Sequence, residues 1–593
     1  MDSQAKRRRF LLVMVKPSHY DDEGYVIQWV RSPIPANSLA CLYGLAQDLQ
    51  AARALGPEVD LKLIAIDETN ARVRPERIAR DIHGAGDGLV MLVGVQSNQF
   101  PRALDLARRL RGLGLTVGVG GFHVSGTLAM LPGVEANVQK VLDLGCFVFA
   151  GEAEQGRLAG VLRDAMAGAL KPVYNFMDDL PGLEGEPIPN LPLPVMRRTL
   201  GATSSFDAGR GCPFQCSFCT IINVQGRKSR RRTPDDIEAI IRANHALGVS
   251  SYFITDDNFA RNKTWEAIFD RLIHLQEVEK IRIHLIIQVD TLCHRLPGFI
   301  EKAARAGVRR AFIGLENISP DNLMAAKKRQ NKITEYRAML LAWKAAGVIT
   351  YCGYILGFPN DTPERILRDV ETVKNELPVD ILEFFYLTPL PGSEDHKRLL
   401  DRGVWVDPDL NKYDLNHVCT GHPLMSAAEW KGVYRAAWRA FYTPDHVITV
   451  MKRAVATRNS PGKVLFLLGW FMGAIEIEDV HPLECGLVRR KVRRDRRPGR
   501  PLQTPLLFYP RYGLETVSKL ARWAALYARF SPAYYRLKRQ KGRSDYMDAA
   551  LTPVSDHDEE DLALFQTNEA KGYVVQQRHF ADIRAASATA STS

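Results

Sequence analysis

Apolar runs alternate with amphipathic stretches over the first 150 residues of the chain. The apolar runs predict strands, and the stretches with apolar residues every three or four positions predict helices between them. The predicted strands are Phe10–Val15, Val59–Ile66, Gly88–Val95, Thr116–Gly120 and Cys146–Ala150, and the predicted helices are Asn37–Leu55, Arg74–Ile82 and Pro101–Leu113. Strands that are apolar almost throughout and alternate with helices predict a parallel sheet covered on both faces.

Three turns at the carboxyl ends of these strands carry residues that packing alone does not require. They are Gln96-Ser97-Asn98-Gln99, Gly120-Gly121-Phe122-His123 and Gly151-Glu152-Ala153-Glu154. Because ligands of parallel α/β sheets bind at the carboxyl ends of the strands, the turns predict a binding site. The alternative is a sheet that holds no cofactor and serves as a lid or a platform for a substrate.

The same alternation returns after a proline-rich segment. Residues 172–194 hold too many prolines for a helix or a central strand, so we expect a linker there. The strands predicted beyond it are Ser251–Thr255, Arg282–Val289, Arg310–Gly314, Thr350–Leu356 and Ile381–Leu387. Together with the unit that begins at Thr203 they make six βα units, which predict a partial barrel with its site at the carboxyl ends of the strands.

Composition narrows the class of protein. The chain has 593 residues, 46% of them hydrophobic and 25% charged, as in a soluble globular protein of three or four domains. No apolar run reaches the ~20 residues of a membrane-spanning helix. The nine cysteines are odd in number and six are scattered singly, which argues against a disulfide framework and favours a cytoplasmic location.

The net charge of +12 is concentrated in two basic clusters, Arg227–Arg232 and Arg489–Arg500. Such clusters are typical of nucleic-acid binding. No helix-turn-helix, zinc-finger or RNP-type aromatic pattern stands beside either cluster, so nucleic acid is not an expected partner.

The chemistry of the chain centres on the sequence G-C-P-F-Q-C-S-F-C-T. Cys212, Cys216 and Cys219 form a C-x3-C-x2-C array. Three thiolates so close in sequence can converge on one iron-sulfur cluster, and a missing fourth ligand leaves one iron open. The alternatives are a structural zinc site, which usually needs a second pair of ligands that the chain lacks, or three unrelated buried thiols.

The array resembles that of the radical S-adenosylmethionine (SAM) superfamily, as does Phe218 just before the third cysteine. The resemblance implies a [4Fe-4S] cluster on Cys212, Cys216 and Cys219. SAM would bind the open iron, and an electron from a reductant such as flavodoxin or ferredoxin would cleave it to a 5′-deoxyadenosyl radical. The further SAM-binding positions that the resemblance implies are Asp256, Asp257, Asn258, Gln288, Glu316, Gly357 and Pro359. The alternative for each of these is a role in a turn or as a helix cap.

The first sheet resembles the cobalamin-binding domain that precedes many radical SAM cores. The resemblance implies that Ser97, Gly120 and Gly121 hold the nucleotide tail of cobalamin. The string Asp81-Ile82-His83-Gly84-Ala85-Gly86 matches the D-x-H-x-x-G signature of cobalamin proteins. It follows a predicted helix, however, which puts His83 at the amino end of the sheet. We therefore expect cobalamin to bind base-off, without a histidine ligand, and keep His83 as a minority alternative.

The predicted fold is α/β, with a Rossmann-like cobalamin-binding domain at 1–170, a linker at 171–200 and a partial (β/α)6 radical SAM barrel at 201–430. A mainly helical basic region at 431–549 and a mobile tail at 550–593 follow. Val464–Ala474, Arg489–Arg500 and the aromatic residues Trp523, Tyr527, Phe530, Tyr534 and Tyr535 suggest a helix that lies on an anionic membrane. The alternative is a buried core helix beside a solvated basic loop.

The predicted function is methyl transfer through cobalamin to an unactivated carbon of a small-molecule or lipid substrate. One alternative is radical cyclisation or oxidative rearrangement on the same core. Another is a non-catalytic, cluster-bearing protein that binds the inner face of the membrane. The motifs do not specify the substrate.

Overall fold

A computed structural model describes residues 8–552 and 562–590 of the chain. Its strands are β1 Arg8–Lys16, β2 Gln28–Arg31, β3 Val59–Asp67, β4 Gly88–Leu92, β5 Val117–Gly120, β6 Phe147–Ala150, β7 Val173–Asn175, β8 Thr203–Phe206, β9 Gly209–Arg210, β10 Arg230–Arg231, β11 Ser251–Ile254, β12 His284–Val289, β13 Val308–Glu316, β14 Ile349–Leu356, β15 Ile381–Tyr386 and β16 Leu487–Arg490. Its α-helices are α1 Asn37–Ala51, α2 Pro75–Ala85, α3 Phe100–Gly112, α4 Phe122–Met130, α5 Ala136–Asp143, α6 Arg157–Met166, α7 Leu193–Met196, α8 Ile221–Val224, α9 Pro234–Ala246, α10 Trp265–Glu277, α11 Phe299–Arg305, α12 Pro320–Ala325, α13 Ile333–Ala345, α14 Pro363–Glu376, α15 Glu394–Asp401, α16 Ala427–Phe441, α17 Pro444–Ala456, α18 Pro461–Gly473, α19 Pro505–Arg539 and α20 Asn568–Ala590.

The first sheet consists of six parallel strands in the order β3-β1-β4-β5-β6-β7. The five strands predicted for it are confirmed. The chain crosses from β1 to β3 on one side and returns to β4 on the other, so the order of strands reverses beside β1. Ligands of doubly wound sheets bind at the carboxyl ends of the strands at this switch point. The turns after β4, β5 and β6 lie at that edge.

The predicted linker is partly wrong, because its first residues form β7. This strand pairs in parallel with β6, from Val148 opposite Val173 to Ala150 opposite Asn175. An edge strand tolerates a preceding proline, here Pro172, because one side of an edge strand needs no ladder hydrogen bonds. The proline-rich second half of the segment ends in the short helix α7.

The second sheet consists of six parallel strands in the order β15-β14-β13-β12-β11-β8. Strand order follows chain order from one edge to the other, as expected of consecutive βα units. The strands predicted for this region therefore lie in one parallel sheet. Their polar turns all lie at one end of the sheet, because the carboxyl ends of parallel strands share an edge.

Helices beyond the second sheet cover its edge. Ser426 caps α16, and its side chain accepts from the backbone of Glu429, whose side chain accepts in return from the backbone of Ser426. Helix α18 is the apolar run predicted around 464–474. It is buried over residues such as Val464, Leu468 and Phe471, so the buried-helix alternative is confirmed.

The basic segment 489–500 is held by acidic partners and is not the solvated loop of that alternative. Strand β16 pairs antiparallel with β2, which joins this segment to the loop after β1. Arg489 Nη2 lies 2.8 Å from Asp21 Oδ2, and Lys491 Nζ lies 3.0 Å from Glu23 Oε2. These partners are more than 450 positions away in the chain, so no local pattern reveals them.

Helix α19 runs for 35 residues along the outside of α18. Four of the aromatic residues that we expected to face a membrane, Trp523, Tyr527, Phe530 and Tyr534, pack inward instead, while Tyr535 is exposed. Tyr527 Oη donates to the carbonyl oxygen of Phe466 at 2.9 Å. None of the described helices is long and apolar enough to span a bilayer.

The segment predicted as a mobile tail is partly ordered. Leu564, Phe565 and Ala570 are buried, and the backbone N–H groups of Ala563 and Leu564 donate to the carboxylate of Glu376 on α14. The prediction of a mobile tail is based on composition. It misses the few apolar side chains that are enough to dock this segment beside α14. The acidic stretch Asp556–Asp561 lies outside the described residues.

Candidate functional site

A cavity of about 810 Å³ separates the two parallel sheets. One wall comprises the turns after β1, β4, β5 and β6. The opposite wall comprises Gly209 and Arg210, then Thr220 and Ile221, which follow the cysteine array directly, and Asp257. The carboxyl ends of both sheets therefore face one cavity. Its volume lies toward the upper end of the range for sites that bind small molecules and cofactors.

Ser97, Gly120 and Gly121 all line the first wall, as predicted. The backbone of Gly121 has φ +140°, and a Cβ there would lie 2.1 Å from the nitrogen of Val95. Only glycine fits this close approach of two turns. Ser97 Oγ lies 3.2 Å from Nδ1 of His123, so the serine turn and the glycine turn are joined.

His83 lies where the sequence placed it, away from the cavity. It is exposed near the end of α2, and its Nε2 lies 3.3 Å from the carbonyl oxygen of Leu113. Helix α2 leads into the amino end of β4, so His83 is at the opposite edge of the sheet from the glycine turns. The D-x-H-x-x-G string forms the last turn of α2 and its C-cap, Gly86, so the predicted helix-to-strand turn begins later than expected.

Cys212, Cys216 and Cys219 lie on one tight loop between β9 and α8. Gly211 has φ +92°, and a Cβ there would lie 2.5 Å from the carbonyl oxygen of Lys228, which fixes how the loop begins. Burial raises the pKa of the Cys212 thiol to about 11 and that of Cys219 to about 12, and each thiol is also raised by Cys216. Cys216 thus lies near enough to Cys212 and Cys219 to raise the pKa of each thiol, and the three cysteines share one partly buried loop.

Two residues beside this loop were missed by the sequence reasoning. Gln330 Nε2 donates to Cys216 Sγ at 3.4 Å. Lys328 lies over the ring of Phe218 and pairs with Glu316. Burial would lower the pKa of Lys328, but Glu316 and the thiols of Cys216 and Cys219 raise it. A cation and an amide donor thus lie beside the cysteine loop. No motif in the sequence predicts either residue.

The adjacent residues of the Asp-Asp-Asn turn have different surroundings. Asp256 is buried, and its Oδ1 accepts from the backbone N–H groups of Ala208 and Gly209 at 2.7 and 2.8 Å. Asn258 Nδ2 donates to Asp290 Oδ2 at 2.8 Å. Of the three, Asp257 alone lines the cavity, and burial raises its pKa to about 7.

The remaining predicted residues lie on strands of the second sheet or in the turns that follow those strands. Gln288 Nε2 donates to the backbone oxygen of Asp256 at 3.3 Å. Glu316 has φ +63° and is engaged by Lys328. The backbone N–H of Gly357 donates to Asp361 at 2.8 Å, and a Cβ on Gly357 would meet the Trp430 ring at 1.9 Å. Pro359 is exposed. The structure does not bring these four residues onto the cavity wall.

A buried ion network joins the two walls, and it is centred on Arg210. Its guanidinium lies 2.8 Å from Glu152 Oε2, 2.7 Å from Glu154 Oε1 and 3.1 Å from Asp207 Oδ2. Burial opposes ionisation of Asp207, but Arg210 and Arg232 outweigh it and lower its pKa to about 2. The Gly-Glu-Ala-Glu turn of the first sheet thus fixes the residue that leads into the cysteine loop.

Comparison with known proteins identifies the second sheet. The sequence model of the Radical SAM superfamily matches residues 208–373, which include the cysteine loop and the strands after it. This region of the chain is therefore similar to the radical SAM superfamily. Members of this superfamily use a [4Fe-4S] cluster and SAM.

Its relatives among radical SAM proteins include named methylases. The chain is 26% identical over 406 residues to the hopanoid C-2 methylase of Rhodopseudomonas palustris, covering 67% of this chain and 73% of that protein. It is 26% identical over 348 residues to the bacteriochlorophyllide d C-8(2)-methyltransferase of Chlorobaculum tepidum, covering 56% and 73%. Both are enzymes, as this chain is.

Solved structures share the fold of this radical SAM enzyme. The methyltransferase TsrM from Kitasatospora setae, solved with cobalamin and a [4Fe-4S] cluster, matches with a TM-score of 0.55 and 14% identity over 74% of this chain and 90% of that chain. The cobalamin-dependent SAM radical enzyme OxsB, solved with aqua-cobalamin, matches with a TM-score of 0.50 and 12% identity over 96% and 84%. At these identities the likeness shows the fold alone.

Proposed function

We propose that the chain is a cobalamin-dependent radical SAM methyltransferase that methylates an unactivated carbon. The observation that carries the proposal is the shared cavity. Glycine turns suited to a cofactor tail line one wall, and residues that flank the cysteine loop line the other. A substrate held between the walls would be shielded from water, which a radical reaction requires.

In this proposal Cys212, Cys216 and Cys219 hold the [4Fe-4S] cluster, which supplies the electron that cleaves SAM. The donor set fits, since three partly buried thiols and a neighbouring cation can hold a cluster that carries negative charge. Lys328 would offset that charge, and Gln330 would donate a hydrogen bond to the sulfur of Cys216. Cluster assembly displaces the thiol protons.

Asp257 is the residue that we assign to the ammonium group of SAM. Its carboxylate lines the cavity and lies near the thiols of Cys212 and Cys219, whose pKa values it raises. An ammonium group beside a buried carboxylate forms a charge-assisted hydrogen bond. Asp256 has a different role, because it orders the backbone that leads into the cluster loop.

The first wall fits cobalamin, which would supply the methyl group. Ser97, Gly120 and Gly121 bring bare backbone to the switch point of the sheet. His83 lies at the other edge, which supports base-off binding without that histidine. We propose that the domains follow the boundaries predicted above, except that β7 belongs to the first, and that the second sheet is a partial (β/α)6 barrel.

Large apolar molecules are the substrate class that we favour. Leu45, Met91, Phe149, Phe385 and Leu390 line the cavity from both walls. The names of two relatives refer to hopanoids and bacteriochlorophyllides, which supports an extended, largely apolar substrate. A protein reductant such as flavodoxin or ferredoxin would supply the electrons.

The products of SAM test the proposed function. Protein with a reconstituted cluster is incubated without oxygen with SAM, cobalamin, a strong reductant and candidate lipids, and mass spectrometry follows 5′-deoxyadenosine and S-adenosylhomocysteine. We expect both products from the native chain and no deoxyadenosine from Cys216→Ala. The matched control, Cys146→Ala, removes a buried thiol from the first sheet and should keep both. Absence of both products despite an intact cluster would contradict the proposal.

A second candidate is radical cyclisation on the same core. The chain is 22% identical over 250 residues to the anaerobic magnesium-protoporphyrin IX monomethyl ester cyclase of Synechocystis. Cyclisation consumes SAM without moving its methyl group. Deoxyadenosine that accumulates with no S-adenosylhomocysteine, in the presence of a substrate that is converted, would favour this candidate over methyl transfer.

We also propose that α19 contacts an anionic lipid surface. Its outer side exposes the apolar residues Leu506, Leu507, Tyr509, Leu514, Val517 and Leu520. Arg511, Arg522 and Arg529 are exposed on the same helix, and this positive charge complements anionic headgroups. This surface differs from the aromatic one that the sequence suggested.

Vesicle flotation tests this contact. The native chain should float with phosphatidylglycerol-containing vesicles and less with pure phosphatidylcholine. Leu514→Glu should abolish flotation, while Ser518→Glu, which adds the same charge beside the apolar side, should reduce it much less. Equal flotation of the two variants would refute contact through α19.

A further inference from the structure

Three residues from distant parts of the chain converge on one point of the cavity wall. His19 follows β1, Asp414 follows the second sheet, and Glu484 follows α18. One ligand atom of each, the imidazole nitrogen and two carboxylate oxygens, lies within 4.8 Å of the other two. All three residues line the cavity described above.

The cluster contains an ion pair, His19 with Glu484, whose facing atoms make no hydrogen bond to any described residue. The side chain of His19 is 5% exposed, and its Nε2 has no hydrogen-bond partner among the residues that the structure describes. Glu484 Oε2, 3.4 Å away, is likewise without a hydrogen bond in the described chain. A buried polar atom that makes no hydrogen bond is unfavourable, so such atoms in a native protein call for an explanation such as a bound ion.

Neighbouring groups hold the carboxylates in place. Asn98 Nδ2 donates to Glu484 Oε1 at 3.1 Å, which leaves Oε2 turned toward His19. The backbone N–H of Asn416 donates to Asp414 Oδ1 at 2.8 Å. Ligands of metal ions are usually fixed by such hydrogen bonds to their other atoms.

Two nearby cations are engaged with residues outside the cluster, since Arg489 Nη2 lies 2.8 Å from Asp21 and Lys16 Nζ donates to Gln99. His417 pairs with a member of the cluster, because its Nδ1 lies 2.9 Å from Asp414 Oδ1. Protonated His417 therefore offsets the charge of Asp414. A divalent cation would offset the charge of Glu484 and fill the gap between His19 Nε2 and Glu484 Oε2, which lie 3.4 Å apart without a hydrogen bond.

We propose that His19, Asp414 and Glu484 bind a divalent metal ion at the cavity wall, separate from the cysteine loop. One imidazole and two carboxylates are a donor set that suits Mn²⁺, Fe²⁺ or Zn²⁺. Three protein ligands leave coordination positions open, and these face the cavity. In the proposed methyltransferase the ion would bind an oxygen atom of the substrate and orient it; that role, unlike the binding itself, rests on the proposed function.

Mn²⁺ is a direct probe of this site. The full chain, with its cluster oxidised and therefore silent in electron paramagnetic resonance, is treated with a mild chelator and titrated with Mn²⁺ without cobalamin or SAM. Binding removes the six-line signal of free Mn²⁺. We expect one tight site per chain, and we expect Zn²⁺ to release the bound Mn²⁺.

Two variants assign the site to these residues. Glu484→Gln keeps the shape and an acceptor for Asn98 but removes the charge, and His19→Ala removes the nitrogen ligand. Each should weaken Mn²⁺ binding at least tenfold, while His83→Ala, which removes an exposed histidine elsewhere on the same sheet, should leave it unchanged. Circular dichroism checks that each variant is folded.

The Mn²⁺ titration of the native chain tests the proposal even if a variant does not fold. Absence of a stoichiometric Mn²⁺ site would overturn the proposal, as would folded variants that bind like the native chain. Because no turnover is measured, failure of methyl transfer and failure of metal binding are separate results.

Discussion

Arg210 offers the sharpest test of how the two sheets are joined. Replacing Arg210 with Met keeps most of the side-chain volume and removes the charge. Glu152, Glu154 and Asp207 would then face one another with only the cations of Arg230 and Arg232 nearby. The variant therefore isolates the role of the central guanidinium.

The expected loss of stability follows from burial. The side chain of Arg210 is 9% exposed, and those of Glu154 and Asp207 are 3% and 2% exposed. Removing one partner from so buried a network costs about 3–5 kcal/mol, because it leaves charges without compensation. At about 2 °C per kcal/mol for a domain of some 200 residues, the thermal midpoint should fall by at least about 6 °C. Arg271, which pairs with Asp235 on the surface, should contribute no more than about 1 kcal/mol.

The loss should also depend on pH. In the native chain the network lowers the pKa values of Glu154 and Asp207. A lowered carboxyl pKa stabilises the fold above the unfolded pKa, and that stability is lost as pH falls through the folded pKa. Without Arg210 these carboxyls hold protons more tightly when folded, so the variant should recover stability as pH falls from 7.5 to 5.5.

Thermal unfolding followed by circular dichroism at one scan rate measures these effects. Arg210→Met and Arg271→Met are compared at pH 7.5 and 5.5, and Arg210→Met is also combined with Glu154→Gln, which should restore part of the loss. Equal midpoints for the two single variants, or a deficit that does not shrink at pH 5.5, would refute the reasoning.

Three further predictions concern the cofactor turns and the core. Gly121→Ala should abolish cobalamin retention on gel filtration, because the added Cβ would lie 2.1 Å from a backbone nitrogen. Gly160→Ala, whose added Cβ would have no described atom within 4 Å, should still retain cobalamin. Lys328→Met should make the cluster's reduction potential more negative, because it removes a cation beside the thiols. Lys327→Met should leave the potential unchanged. Equal potentials of the two variants in a redox titration would contradict this. Burial raises the pKa of Glu383 to about 8, so the folded state holds its proton more tightly than the unfolded state and native stability should fall by about 2 kcal/mol between pH 6 and 8. Glu383→Gln should remove that slope in urea unfolding, and an unchanged slope would show that another group causes it.

Local patterns in the sequence predicted most of the fold. The strand Phe10–Val15 is apolar throughout, and that property alone sets its type and burial. The array of Cys212, Cys216 and Cys219 spans eight positions, so its place on one loop could be predicted without tertiary information. Strand β7 was missed because it has three residues and follows a proline.

Contacts between distant segments could not be predicted in this way. Asp256 and Asp257 are chemically identical neighbours, and only the path of the turn decides which one faces the cavity. The partners of Arg489 and Lys491 lie near the amino terminus, so a segment that appeared solvated is packed. His19, Asp414 and Glu484 share no spacing at all, and their convergence depends on the whole fold.

In the proposed enzyme, cluster and cobalamin share one cavity between the two sheets. Anomalous diffraction at the iron and cobalt edges, from crystals of the full chain loaded with both cofactors, would locate both metals. We expect an iron peak at Cys212, Cys216 and Cys219 and a cobalt peak in the same cavity, between the turn at Gly121 and Asp257. A cobalt peak elsewhere, or none in crystals that contain the cluster, would contradict this proposal.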